Sequence, residues 1–169
     1  MTQTLTLAAL PPNLKIVTPA GLASILEDGR ASGKSIVFTN GCYDLLHPGH
    51  VDFLARCKAL GDILVLGLNS DASVRRQGKL PPRPVTPFAD RAFVLAHLAS
   101  VDYIVGFDED TPLELIETIK PRILVKGGDW PVERIAGREE VERLGGKVLS
   151  LPLLPGYSTT GMLNKIKSL

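Results

Sequence analysis

The sequence predicts an α/β protein: one doubly wound sheet of five parallel strands with helices on both faces, in the order 3-2-1-4-5. Three observations carry this. Near-continuous apolar runs at Ile36-Val37-Phe38, Ile63 to Leu68, Val101 to Phe107, Ile123-Leu124-Val125 and Val148 to Leu151 read as strands covered on both faces. Helical patterns separate them at strand–helix–strand spacing, which calls for parallel pairing. The polar loops at Thr39 to His50, Asn69 to Asp71, Lys126 to Trp130 and Tyr157 to Thr160 all come after strands, where a doubly wound sheet binds its ligands.

Taken in order, residues 1–14 read as a flexible tail, and 15–169 as a single domain long enough for a full core. Thr18-Pro19 caps a first helix with Leu22, Ile25 and Leu26 on one face, and Gly29 can end it. The first strand leads into a helix over 51–60, stopped by Gly61-Asp62. After the second strand, Ser70 or Asp71 caps a short helix through Arg76. Residues 77–87, with Gly78 and four prolines, read as a stiff basic loop. Thr86-Pro87 opens a helix to about Ala99, with Phe88, Ala92, Leu95 and Ala99 as its buried stripe. Thr111-Pro112-Leu113-Glu114 has the pattern of a capping box and opens a helix that Pro121 ends. A helix over 133–144 stops at Gly145-Gly146. Ser158 caps a terminal helix through Lys167. The whole is a Rossmann-like arrangement.

Composition excludes several classes. Formal net charge is +1, so no global basic field attracts nucleic acid and any anion site is local. Two cysteines without a pairing pattern suggest a reducing compartment. No signal peptide and no run of about 18 apolar residues is evident, which points to a cytoplasmic protein with no membrane contact. G-x-G-x-x-G after the first strand, G-x-x-x-x-G-K-[ST] and G-x-S-x-G are all missing, which argues against a dinucleotide oxidoreductase, a P-loop enzyme and a nucleophile-elbow hydrolase.

What stands out instead is Thr39-Asn40-Gly41-Cys42-Tyr43-Asp44-Leu45-Leu46-His47-Pro48-Gly49-His50. Two of the three histidines of the chain lie here, at i and i+3 on a helix start, where both imidazoles share a face. A strand, a glycine turn and a helix N-terminus bring backbone N–H groups and a positive dipole end to one spot, which suits phosphate. Turn chemistry alone could explain Pro48 and Gly49. A zinc pair lacks partners, since Cys42 and Cys57 supply no matching ligand motif, so no metal site made of protein ligands alone is expected. If the first and fourth strands are neighbours at the switch point, His47, His50 and Lys126 converge on one crevice.

These residues resemble a known pattern. Asn40-Gly41-Cys42-Tyr43-Asp44 through His47-Pro48-Gly49-His50 is similar to the N-G-C/T-F-D-x-x-H-x-G-H signature of the nucleotidyltransferase superfamily, which includes cytidylyltransferases. Ser158-Thr159-Thr160 resembles the end of its I-S-T-T motif. Asn69 to Arg75, Arg83-Pro84, Asp90-Arg91-Ala92, Val101-Asp102, Thr111-Pro112 and Lys126-Gly127-Gly128-Asp129 resemble one branch, the D-glycero-β-D-manno-heptose 1-phosphate adenylyltransferases, which make ADP-heptose for lipopolysaccharide. The likeness runs from about residue 15 to 167. It implies that His47, His50 and Lys126 act at the α-phosphorus of ATP. Thr39, Asn40, Gly41, Arg91, Gly127, Asp129, Ser158 and Thr159 would bind nucleotide or phosphate, and Asp44, Asn69, Asp71 and Arg83 would contact the sugar phosphate. Mg²⁺ would be bridged by the phosphates, and the enzyme would be a homo-oligomer. One departure stands: Leu153-Leu154-Pro155-Gly156-Tyr157 occupies the place where cytidylyltransferases carry R-T-E-G. Another acceptor (glycerol 3-phosphate with CTP, or FMN with ATP) and a non-catalytic nucleotide sensor are the alternatives.

Overall fold

The computed structural model describes residues 12–128 and 130–169. Six parallel strands form one sheet: β1 (Ile16–Val17), β2 (Ile36–Gly41), β3 (Ile63–Asn69), β4 (Tyr103–Phe107), β5 (Ile123–Gly127) and β6 (Lys147–Leu151), in the order β1-β4-β3-β2-β5-β6. The five expected strands are β2 to β6, in the expected relative order. The count of five is corrected to six, because Ile16 and Val17 pair with Ile104 and Val105 at the edge. Residues 12–14, expected within the tail, form with Lys15 a 3-10 turn leading into that strand, and the rest of the expected tail lies outside the described residues.

Seven helices are described: α1 (Pro19–Ala31), α2 (Pro48–Lys58), α3 (Asp71–Arg76), α4 (Phe88–Ala96), α5 (Leu113–Ile119), α6 (Arg138–Arg143) and α7 (Thr159–Lys167). Strand alternation divides the core. Ile36 and Phe38 of β2 face α1, α5 and α6, packing with Leu22, Leu26, Ile116, Ile119 and Val141. Val37 faces α2 and α4, packing with Phe53, Leu54, Ala92 and Leu95. β3 is buried along its whole length, as its unbroken apolar run requires.

Three local expectations change. Gly29 does not end α1; it is buried, and a Cβ there would meet Ile63 Cδ1 at 3.0 Å, so the helix continues to Ala31. The Thr111 capping box does not form, since α5 starts at Leu113 with Pro112 as its N-cap and no side-chain cap. The helix over 133–144 breaks at Gly137, which holds φ +85° directly over Ile116; a 3-10 turn (Val132–Arg134) precedes the break and α6 follows it.

The chain runs from β2 outward through β3 to β4, then returns to build β5 and β6 on the other side. The strand order therefore reverses between β2 and β5, and a crevice opens at their C-terminal ends.

Candidate active site

β2 delivers Thr39, Asn40 and Gly41 to this crevice. Gly41 has no Cβ because Tyr43 Cε2 would lie 2.8 Å from one. Tyr43 itself holds φ +45° and is buried, a conformation that costs a non-glycine residue of order 1–3 kcal/mol. The turn thus folds tightly back before α2 begins.

His47 is the N-cap of α2: its Nδ1 accepts from the His50 backbone N–H at 3.3 Å. With Nδ1 an acceptor, the neutral ring carries its proton on Nε2 and offers it outward as a donor. The two imidazoles stack, with centroids 3.7 Å apart and planes at 14°. Burial, then the neighbouring His47, lowers the His50 pKa to about 4, and burial lowers that of His47. Near pH 7 the pair is therefore neutral, and each ring can donate one N–H. His50 Nδ1 is buried without a hydrogen-bond partner, as is Thr39 Oγ1.

Lys126 approaches from β5. The β2–β5 register pairs Thr39 with Val125, which places Lys126 next to Asn40, and its Nζ donates to Asn40 Oδ1 at 3.0 Å. Burial is the main influence on its pKa and lowers it. Contacts connect Lys126 to the histidines stepwise: Lys126 to Asn40, then along the chain to Gly41 under the Tyr43 ring, then Tyr43 to His50 at 5.0 Å between centroids. Gly127, next on β5, leaves room for Phe53 of α2 and Leu153, either of which a Cβ would crowd.

The N-terminus of α7 closes the other side. Ser158 Oγ accepts from the Gly161 N–H at 2.9 Å, and Thr159 is buried. Tyr157, just before the cap, lies 6.3 Å from His47 between ring centroids, and its Cβ would sit 3.2 Å from a Cβ added to Gly49. Tyr43 and Tyr157 flank the histidines although sequence reasoning gives them no role in the site; an aromatic inside the signature turn is the only signal that could have pointed to Tyr43.

Four residues expected to contact ligand have partners within the chain. Arg91 is 2% exposed, and its guanidinium donates to the carbonyls of Thr86 (3.0 Å), Cys42 (2.6 Å) and Asn69 (2.9 Å) and to Asp71 Oδ1 (2.7 Å). It braces three loops and has little left for phosphate. Asp71 gives Oδ1 to that pair, with its side chain 29% exposed. Asp44, expected to touch substrate, is buried and accepts from the Val85 N–H (2.8 Å) and Thr86 N–H (2.9 Å). Asn69 is buried and donates to Ser73 Oγ at 2.9 Å. Arg83 is different. Its side chain is 8% exposed, Nη2 donates to Thr160 Oγ1 at 2.8 Å on α7, Nε lies 3.9 Å from Asp44 Oδ2, and Nε has no hydrogen-bond partner. Asp129 lies outside the described residues.

A family model described as cytidylyltransferase-like matches residues 38–160, from the middle of β2 into α7. The chain belongs to the cytidylyltransferase-like family. The chain is a nucleotidyltransferase. It is 56% identical over 152 residues to the bifunctional protein HldE of Geobacter metallireducens, covering 90% of this chain and 31% of that protein. It is 52% identical over 154 residues to HldE of Acidiphilium cryptum, covering 91% and 32%. The chain thus spans about a third of the length of these curated relatives. Among solved structures, it is similar to a lipopolysaccharide core biosynthesis protein from Thermoplasma volcanium, with TM-score 0.58 and 27% identity over 72% of this chain and 98% of the other. It shares its fold with a pantoate-beta-alanine ligase from Francisella tularensis, at TM-score 0.60 and 15% identity over 91% of this chain and 78% of the ligase. Among the described residues, no helix is long and apolar enough to cross a membrane.

Proposed function

We propose that this cytidylyltransferase-like chain is an adenylyltransferase: it transfers AMP from ATP to D-glycero-β-D-manno-heptose 1-phosphate, giving ADP-heptose and pyrophosphate for lipopolysaccharide core synthesis. The observation that carries the reaction type is the neutral, stacked pair His47 and His50 at the N-terminus of α2, beside Lys126 at the switch-point crevice. The sugar class is supported by the motifs shared with the heptose branch, by the HldE relatives and by the likeness to the lipopolysaccharide core biosynthesis protein from Thermoplasma volcanium.

In this reading an oxygen of the sugar phosphate attacks the α-phosphorus, the bond from that phosphorus to the bridging oxygen of pyrophosphate breaks, and pyrophosphate leaves with the electron pair. The attacking oxygen is already anionic, so no protein base is needed. His47 and His50 donate N–H groups to oxygens on which charge grows, and Lys126 adds a cation. Each such donor is worth about 10²- to 10³-fold in turnover. Ser158 and Thr159 present the α7 N-terminus to the nucleotide phosphates. Thr39, Asn40 and Gly41 line the floor, with Gly127 at the end of β5, and the family resemblance gives Asp129 a nucleotide contact. Arg83, tethered at Thr160, is placed to meet the sugar phosphate. The crevice offers N–H groups and cations, a donor set that fits phosphate oxygens rather than a metal ion. The Mg²⁺ that travels with ATP would therefore be held by the phosphates and water, where it supplies charge neutralisation. The enzyme would work in the cytoplasm as a homo-oligomer.

A pyrophosphate-release assay with ATP or CTP against heptose 1-phosphate, glycerol 3-phosphate and FMN tests this. ATP with heptose 1-phosphate is expected to be the productive pair. Turnover only with another pair replaces the substrates, and ATP binding without any turnover replaces the enzyme with a sensor.

A further inference from the structure

The opposite end of the sheet carries a second feature, with no part in the crevice. An open cavity of about 330 Å³ is lined by Arg30, Gly33, Lys34, Ser35, Ile36, Lys120, Pro121, Arg122 and Leu144. It lies where β2 and β5 begin, at the ends of α1, α5 and α6. Four of its lining side chains are cationic and none is acidic. The chain as a whole carries a net charge of only +1, so this is a strong local concentration.

Cations gather at helix C-termini because carbonyls there lack partners. Arg30 answers that need by donating to the Ile119 carbonyl at 2.9 Å. Lys34, Lys120 and Arg122 do not: among the described residues, none of their side chains has a hydrogen bond or a carboxylate within 4.0 Å. One carboxylate, Asp62, reaches the cavity's edge, where it accepts from the Ser35 N–H at 2.8 Å, while Glu140 pairs with Arg143 and Glu142 with Arg138. Lys120 holds φ +46°, a conformation glycine would adopt more cheaply, so a side chain is kept where backbone geometry disfavours one.

We propose that this cavity is a binding site for a polyphosphate anion. A ligand with two or more adjacent negative charges can be shared among Arg30, Lys34, Lys120 and Arg122, and charge-assisted donors of this kind hold phosphate strongly. The apolar portion of the lining, Pro121 and Leu144, suits a nucleoside attached to the phosphates better than bare polyphosphate. The inference stands apart from the adenylyl-transfer reading.

Amide NMR on the full chain tests it, in 0.15 M salt, with the crevice amides of Gly41 and His50 followed as a separate set. Pyrophosphate, tripolyphosphate and ADP are titrated separately, with adenosine as the uncharged arm. The expected result is saturable shifts at Gly33, Ser35 and Lys120 with a dissociation constant below about 1 mM, weakened at least tenfold in Lys34→Glu/Lys120→Glu/Arg122→Glu. Tighter binding of ADP than of pyrophosphate assigns a nucleotide, and the reverse assigns inorganic polyphosphate. Lys34→Gln, a mild change at an exposed position, should weaken binding severalfold even if the triple variant fails to fold. Shifts that do not saturate, that potassium chloride of equal ionic strength reproduces, or that Lys34→Gln leaves unchanged overturn the proposal.

Discussion

The crevice and the brace beneath it are built from the same kinds of residue and differ in one respect, whether their polar atoms are satisfied. In the brace, Arg91 reaches three carbonyls and a carboxylate, and Asp44 accepts two backbone amides. In the crevice, Thr39 Oγ1, His50 Nδ1 and Arg83 Nε are buried without hydrogen-bond partners. Buried polar atoms left open cost stability, so they persist where something else uses them. Under the proposed function, those open atoms are the ones left for ligand.

The sharpest way to break this contrast is Arg91→Met. It strips four acceptors of their donor and leaves Asp71 unpaired, so stability should fall by about 3–5 kcal/mol, measured by urea unfolding. A loss in ATP affinity with stability unchanged would return Arg91 to the ligand. The converse variant is His50→Ala, expected to lower turnover about 10²-fold, or roughly 2.7 kcal/mol of barrier, with folding nearly unaffected. His47 is less clean because its ring also caps α2. His47→Asn retains a cap, and should lose turnover while keeping the melting temperature that His47→Ala lowers. Asp44→Asn should cost less, about 1–3 kcal/mol. It loosens Val85 and Thr86, and so should raise KM for the sugar phosphate more than it lowers kcat.

The smallest expected effect is in pH. The folded state holds His50 at about 4 against an ordinary 6.5. Between these values the unfolded chain binds more protons, so stability should fall as pH drops through that window and be fully present above it. His50→Gln should flatten that part of a stability-against-pH curve. An unchanged curve would show that the imidazole titrates normally.

The contrast also explains what could be read from the chain alone. The strands β2 to β6, the switch point and the histidine pair are legible because their signals are local: apolar runs, helix starts, and i, i+3 spacing. Satisfaction is not local. Asp44 meets Val85 across 41 positions and Arg91 meets Cys42 across 49, so residue type alone could not reveal these partners. β1 is two residues long, too short for any periodicity. The break at Gly137 depends on Ile116 from another helix.

That short edge strand has a use out of proportion to its length. Lys15 just ahead of it sends its ammonium to the carbonyls of Leu98 and Val101, fastening the segment across the end of β4. Proteolytic trimming past Val17 would bare the amides and carbonyls of Ile104 and Val105 and turn a closed rim into a template for pairing with another chain. Self-association of such a trimmed form would then report on a seal made by three residues.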